Sequence, residues 1–218
     1  VLLSMLDQTI TITSIALALS GYLLGSISSA VIVCRLFDLP DPRTVGSNNP
    51  GATNVLRHGG KKAAAITLAG DMLKGLLAVL IARQFSDVQS VYALVGLSAF
   101  LGHLYPLYFH FRGGKGVATY FGALLGIEVL AGVAALASWL IIAKVFRISS
   151  LAALLTALGS PVLLYLFEAG TATILLCSIM AALLIWRHQS NIRNLVAGTE
   201  GKISSASPDN TGNKNSGN

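Results

Sequence analysis

Glycines, amides, hydroxyls and cations gather in four short stretches of this chain, and together they are suited to holding phosphate. The longest is GSNNPGATNVLRHGGKK, residues 46–62. Glycines let backbone N–H groups approach an anion and form a concave nest. Ser47, Thr53 and Asn54 add polar side chains, and Arg57 can grip a phosphate with two parallel bonds. An ordinary loop draws on the same turn formers. This stretch is longer and denser in anion-binding groups than a turn requires.

The second stretch is GHLYPLYFHFRGGKGVAT, residues 102–119. Gly113, Gly114 and Gly116 surround Lys115 at the start of an expected helix, where free N–H groups and the helix dipole favour an anion. It is not a Walker A loop: Gly116 follows Lys115 where that motif has Ser or Thr, and helices flank it where a strand would precede it. The lone His103 near a helix end reads as a structural hydrogen-bonder. The third stretch, Arg147, Ser149 and Ser150, would by itself be a helix cap. The fourth is WRHQSNIRNLVAGTE, residues 186–200. His188 and Asn191 are three apart there and share a helical face. His188 is the best side-chain candidate for a general base.

The elements that must position these stretches are membrane helices. Of the 218 residues, 54% are hydrophobic and 11% charged, against roughly 25% charged in a soluble domain. The spacing of apolar runs predicts an all-α polytopic bundle of about seven spans: 9–33, 63–82, 91–109, 117–126, 129–143, 151–167 and 171–186. The run at 117–126 is too short to cross alone. With the loop after the first span placed in the cytoplasm, thirteen of the fifteen basic residues fall on that side. The N-terminus is then outside and the C-terminus inside. The net charge of +6 is accounted for by this partition, so no nucleic-acid partner is expected. Asp71 and Lys74, inside the second run, read as a structural pair. Cys34 and Cys177 sit in apolar runs and read as buried hydrophobes, and no metal-binding pattern stands out. No basic n-region of a removable signal peptide precedes the first run. Residues 1–203 are expected to form one membrane domain, and the polar segment 204–218 a disordered tail.

The stretches GSNNPGATNVLR, GHLYPLYFHFRGGKGVAT and RHQSNIRNLVAGTE, together with DMLKG at 71–75, resemble the signature regions of the bacterial acyl-phosphate:glycerol-3-phosphate acyltransferases. The likeness runs from about Gly21 to Glu200. It implies a seven-helix enzyme of the cytoplasmic (inner) membrane with its site facing the cytoplasm. It implies acyl phosphate as donor, glycerol 3-phosphate as acceptor, lysophosphatidic acid and phosphate as products, and no cofactor. A soluble enzyme that makes acyl phosphate becomes a candidate partner. On this likeness Ser47 and Arg57 hold phosphate and Lys115 is the loop lysine. Ser150 is the serine ahead of the sixth helix, and His188 and Asn191 are the pair after the seventh. Two departures stand out. Asn48 replaces the second glycine of Gly-Ser-Gly-Asn, and Ala153 replaces a serine. Asn tolerates left-handed backbone angles, so the loop is expected to survive the first change.

Two rival readings follow from the same residues. A transporter of a phosphorylated solute would use basic loops and intramembrane charges, but its polar groups belong near the midplane, in inverted repeats. A metal-dependent CDP-alcohol phosphotransferase would need a spaced set of aspartates, and the nine acidic residues here are dispersed.

Overall fold

The computed structural model describes residues 11–203, so the expected disordered tail lies outside the described residues. Within them every regular element is helical and no strand occurs. The described residues open with α1, Ile12–Gly25, which starts on a capping box: Ser14 N donates to Thr11 Oγ1 at 3.1 Å, and Thr11 N donates to Ser14 Oγ at 2.7 Å. The first apolar run is not one continuous helix. It breaks at residues 26–28 and resumes as α2, Ser29–Leu36.

A backbone break inside a membrane must be satisfied by protein, and a buried lysine satisfies this one. Lys74 Nζ donates to Ile27 O at 2.7 Å and pairs with Asp71 Oδ1 at 3.0 Å. His103 Nδ1 lies 3.7 Å from the same carboxylate oxygen. The expected pair is therefore a three-residue cluster that ties the break to the neighbouring helices.

Both charged residues come from α3, Ala52–Ala82. This helix starts inside the stretch expected to be a loop. Gly60, at φ 76°, divides it into 52–59 and 61–82, because only glycine enters that region without strain. Next come α4, Gln89–Leu104, and a short 3-10 turn at Leu107–Phe109. Then follow α5, Val117–Ile127, α6, Val129–Phe146, α7, Ser149–Leu166, α8, Thr171–Arg187, and α9, Gln189–Val196.

Among the described residues, five spans are long and apolar enough to cross a bilayer: Ile12–Leu36, Ala52–Ala82, Gln89–Phe109, Val129–Phe146 and Ser149–Leu166. α8 is the apolar part of a sixth. It meets the polar α9 at a 59° bend. α5 has 11 residues, about 16 Å of helix, against an apolar core of roughly 30 Å. Eight of its residues are buried, so protein surrounds it where lipid would otherwise be.

Close crossings pack the bundle, with α5 against α3 and α1 against α4. A Cβ on Gly122 would stand 1.9 Å from Met72 O, and one on Gly25 would stand 2.0 Å from Ala99 O. Glycine at these two points lets backbones touch, as small residues do in membrane helix pairs. The result brings the start of α3, the end of α4, the start of α5, the α6–α7 turn and the α8–α9 bend to one end of the bundle.

Candidate active site

The four polar stretches meet at that end, and a carboxylate links three of them. Lys115 sits in the loop entering α5, which no side chain caps. Its Nζ donates to Asn191 Oδ1. Asn191 Nδ2 donates onward to Glu200 Oε1 at 2.6 Å, and Ser150 Oγ donates to the same oxygen at 2.5 Å. The segment carrying Glu200 folds back over the site, where Ile203 N donates to Arg147 O at 2.7 Å.

Arg57, on the short first part of α3, faces this folded-back segment. A Cβ at Gly201 would lie 3.1 Å from its Nη2. Its guanidinium has no hydrogen-bond or ion-pair partner among the described residues, so its two parallel donors are available to an anion. Burial pushes the Lys115 pKa down. Glu200 opposes that, and Arg187 and Arg57 reinforce it. Three cations thus lie within electrostatic reach of one another with one carboxylate among them.

The glycine loop is gripped from two sides. Gly114 N donates to His103 O at 3.2 Å. From the other side Arg187 Nε donates to Gly114 O at 3.3 Å, and its Nη2 donates to Gly113 O and Gly114 O at 3.2 Å each. Of the expected amides, the Gly114 N–H is therefore engaged inside the protein. Gly116, at φ 85°, makes the left-handed turn into α5. A Cβ there would meet the Phe100 ring at 2.2 Å.

His188 follows the last residue of α8 and is buried. Its Nδ1 lies 2.8 Å from Leu184 O. A carbonyl only accepts, so Nδ1 carries the proton and Nε2 of the neutral ring is an acceptor. Burial pushes its pKa down to about 4, which keeps the ring neutral near pH 7.

The first stretch is held by its own amide. Asn54 is buried; its Nδ2 donates to Pro42 O at 2.9 Å and Val45 O at 3.1 Å, and its Oδ1 accepts from Ser47 N at 3.1 Å. Asn54 therefore shapes the loop, and these bonds leave little of its amide for a substrate. Ser47 is exposed at the loop's rim, with no side-chain bond to the Lys115 cluster. Asn48 adopts φ 53°, the left-handed angle expected of asparagine there. Ala153 is buried in α7.

Sequence reasoning missed three residues. Glu200 is the hub of the cluster; its signal is a lone acid closing a basic stretch. Arg187 grips the glycine loop. Arg43 pairs with Asp41 at 2.6 Å and donates to Phe109 O at 3.3 Å, bracing the first stretch against the second. Among the described residues, no three His, Cys, Asp or Glu side chains come together as metal ligands.

The sequence matches the glycerol-3-phosphate acyltransferase family over residues 15–198. The chain belongs to that family. A relative of the same name from Thioalkalivibrio sulfidiphilus is 56% identical over 188 residues, covering 86% of this chain and 93% of that one. One from Coxiella burnetii is 54% identical over 185 residues, covering 84% and 94%. The fold also matches PlsY, described as an integral membrane glycerol 3-phosphate acyltransferase. The glycerol 3-phosphate form of PlsY aligns with a TM-score of 0.83 and 34% identity, covering 88% of this chain and 96% of that chain. Its lysophosphatidic acid form aligns at 0.80 and 33%. The family's membrane-embedded helical architecture is therefore the architecture of this acyltransferase-family chain. The match extends through α9 and stops two residues before the carboxylate hub at Glu200.

Proposed function

We propose that this chain transfers a fatty acyl group from acyl phosphate to the 1-hydroxyl of glycerol 3-phosphate, releasing lysophosphatidic acid and inorganic phosphate. The supporting observation is the convergence of Arg57, Lys115 and Arg187 on one polar cluster at the end of a membrane bundle. Two phosphorylated reactants repel each other and need several cations to lie side by side. A donor with an acyl tail needs that cluster beside lipid.

Arg57 clamps one phosphate and Lys115 neutralises the other. Asn191, Glu200 and Ser150 hold Lys115 in place. The acceptor hydroxyl oxygen attacks the acyl carbonyl carbon, the carbonyl–phosphate bond breaks, and the phosphate leaves with the bonding electrons. Alignment of this kind contributes roughly 7–11 kcal/mol to catalysis, and fixed donors around the developing charge contribute more. The hydroxyl proton needs an acceptor. A His188 pKa of about 4 makes the ring a weak base at neutral pH. A phosphate oxygen, with a pKa near 6, is the better final acceptor. His188 Nε2 accepts the hydroxyl's hydrogen bond, orients it, and relays the proton to that phosphate oxygen as the new ester bond forms. The site faces the cytoplasm at the inner membrane, where the soluble enzyme that makes acyl phosphate could deliver the donor.

The test is a donor comparison. Purified protein in liposomes receives glycerol 3-phosphate with acyl phosphate, acyl-CoA or acyl carrier protein, with neither metal nor cofactor added. Lysophosphatidic acid should form from acyl phosphate alone. Equal turnover with acyl-CoA rejects the donor assignment, and no product from any donor rejects the reaction. Uptake of glycerol 3-phosphate into the liposomes without chemistry would favour the transporter.

A further inference from the structure

From the three bonds that cross from the end of α8 to the glycine loop, we infer that Arg187 is a positioning residue. It sets the orientation of the Gly113–Gly114 peptides and so aims Lys115. A peptide carbonyl turned toward a bound phosphate repels it, whereas the N–H groups attract it. Flanked by glycine, these peptides can rotate at little steric cost. Arg187 removes that freedom. Its Nη2 reaches both carbonyl oxygens and its Nε reaches the second. On the opposite wall Gly114 N is fixed to His103 O, and a Cβ on Gly114 would press on the His103 ring, 2.4 Å from Nε2. The Asp71 carboxylate lies 3.7 Å from that ring. The Tyr105 ring supports the guanidinium from 5.7 Å.

Location gives the arrangement its consequence. Arg187 ends α8, and His188 and Asn191 follow at the bend. One residue thus registers the segment carrying His188 and Asn191 against the loop carrying Lys115. It does so without touching the reactants. Lysine cannot replace it, because an ammonium is a point charge without a planar fork to bridge two carbonyls.

The inference rests on the proposed acyl-phosphate reaction, and the wild-type protein in the same assay separates the two: no turnover by wild type rejects the reaction, independently of Arg187. Given wild-type turnover, Arg187→Ala and Arg187→Lys are compared in detergent for melting temperature, kcat and KM. Both should melt close to wild type and lose roughly 100-fold in kcat, the scale of a 1 Å misplacement. Guanidinium ion added to Arg187→Ala should restore part of the rate, and ammonium should not. Near-normal kcat in Arg187→Lys would reduce the role to bare charge and overturn the inference. So would failure of guanidinium to rescue a folded Arg187→Ala. If neither variant folds, Arg187 is a structural residue and the inference also fails.

Discussion

Substituting alanine at Gly113 adds one methyl group at a place where only backbone can receive it. The new Cβ would sit 2.0 Å from His103 O and 2.5 Å from Leu104 O, both on the last turn of α4. An ordinary carbon–oxygen contact is about 3.3 Å, so the loop must retreat by about 1.3 Å. Lys115 is two residues away and moves with it. Its bond to Asn191 and the bonds from Arg187 to the loop carbonyls are then stretched or lost. A displacement near 1 Å costs about 100-fold in rate, or about 2.7 kcal/mol in the barrier. The overpacking itself costs about 1–3 kcal/mol of stability, which a folded bundle survives. The assay is conversion of labelled glycerol 3-phosphate to lysophosphatidic acid, with melting temperature followed alongside. Gly159→Ala on α7 is the control, because its Cβ meets nothing within 4 Å. It should leave turnover unchanged and gain about 1 kcal/mol in helix propensity. If Gly113→Ala turns over within threefold of wild type, the loop does not set the position of Lys115 and the reasoning is wrong.

Lys115→Ala should abolish turnover with melting unchanged. The alkaline limb of kcat/KM should fall below an ordinary lysine's range, because burial lowers the Lys115 pKa; Lys115→Arg should move that limb upward. His188 has a folded pKa of about 4, below its unfolded value near 6.5. Its neutral form therefore favours the folded state. That stability, on the order of 3 kcal/mol, should be complete above pH 6.5 and drain away as pH falls toward 4, and His188→Asn should flatten this part of the melting curve. Gly122→Ala would drive a methyl into Met72 O, so its melting temperature should fall sharply, with activity lost in proportion to folded protein. A chain ending after Ile203 should keep full turnover, and comparison of initial rates checks this.

Much of the site could be read in the sequence because phosphate chemistry needs glycines, forks and amides at high local density. The same density hid local structure. Gly59 and Gly60 read as loop, yet residues 52–59 are helical, and Gly60 supplies only a kink. That helix is what presents Arg57 and buries Asn54. The break after Gly25 carries no proline or charge; its signal is Lys74, 47 residues away, which has meaning only once Ile27 O is known to be exposed beside it. Glu200 and Arg187 could be seen as charges, but their roles depend on which carbonyl or hydroxyl another segment brings to them. Span length was clearer: α5 reads as too short from sequence, and its burial explains how so short a helix persists.

The central claim is that both reactants occupy one site on one side of the membrane. Single cysteines in place of Arg57 and Lys115, in proteoliposomes of known orientation, test it with an impermeant thiol reagent. Both should label from the cytoplasmic side. Labelling of the two positions from opposite sides would contradict a shared site.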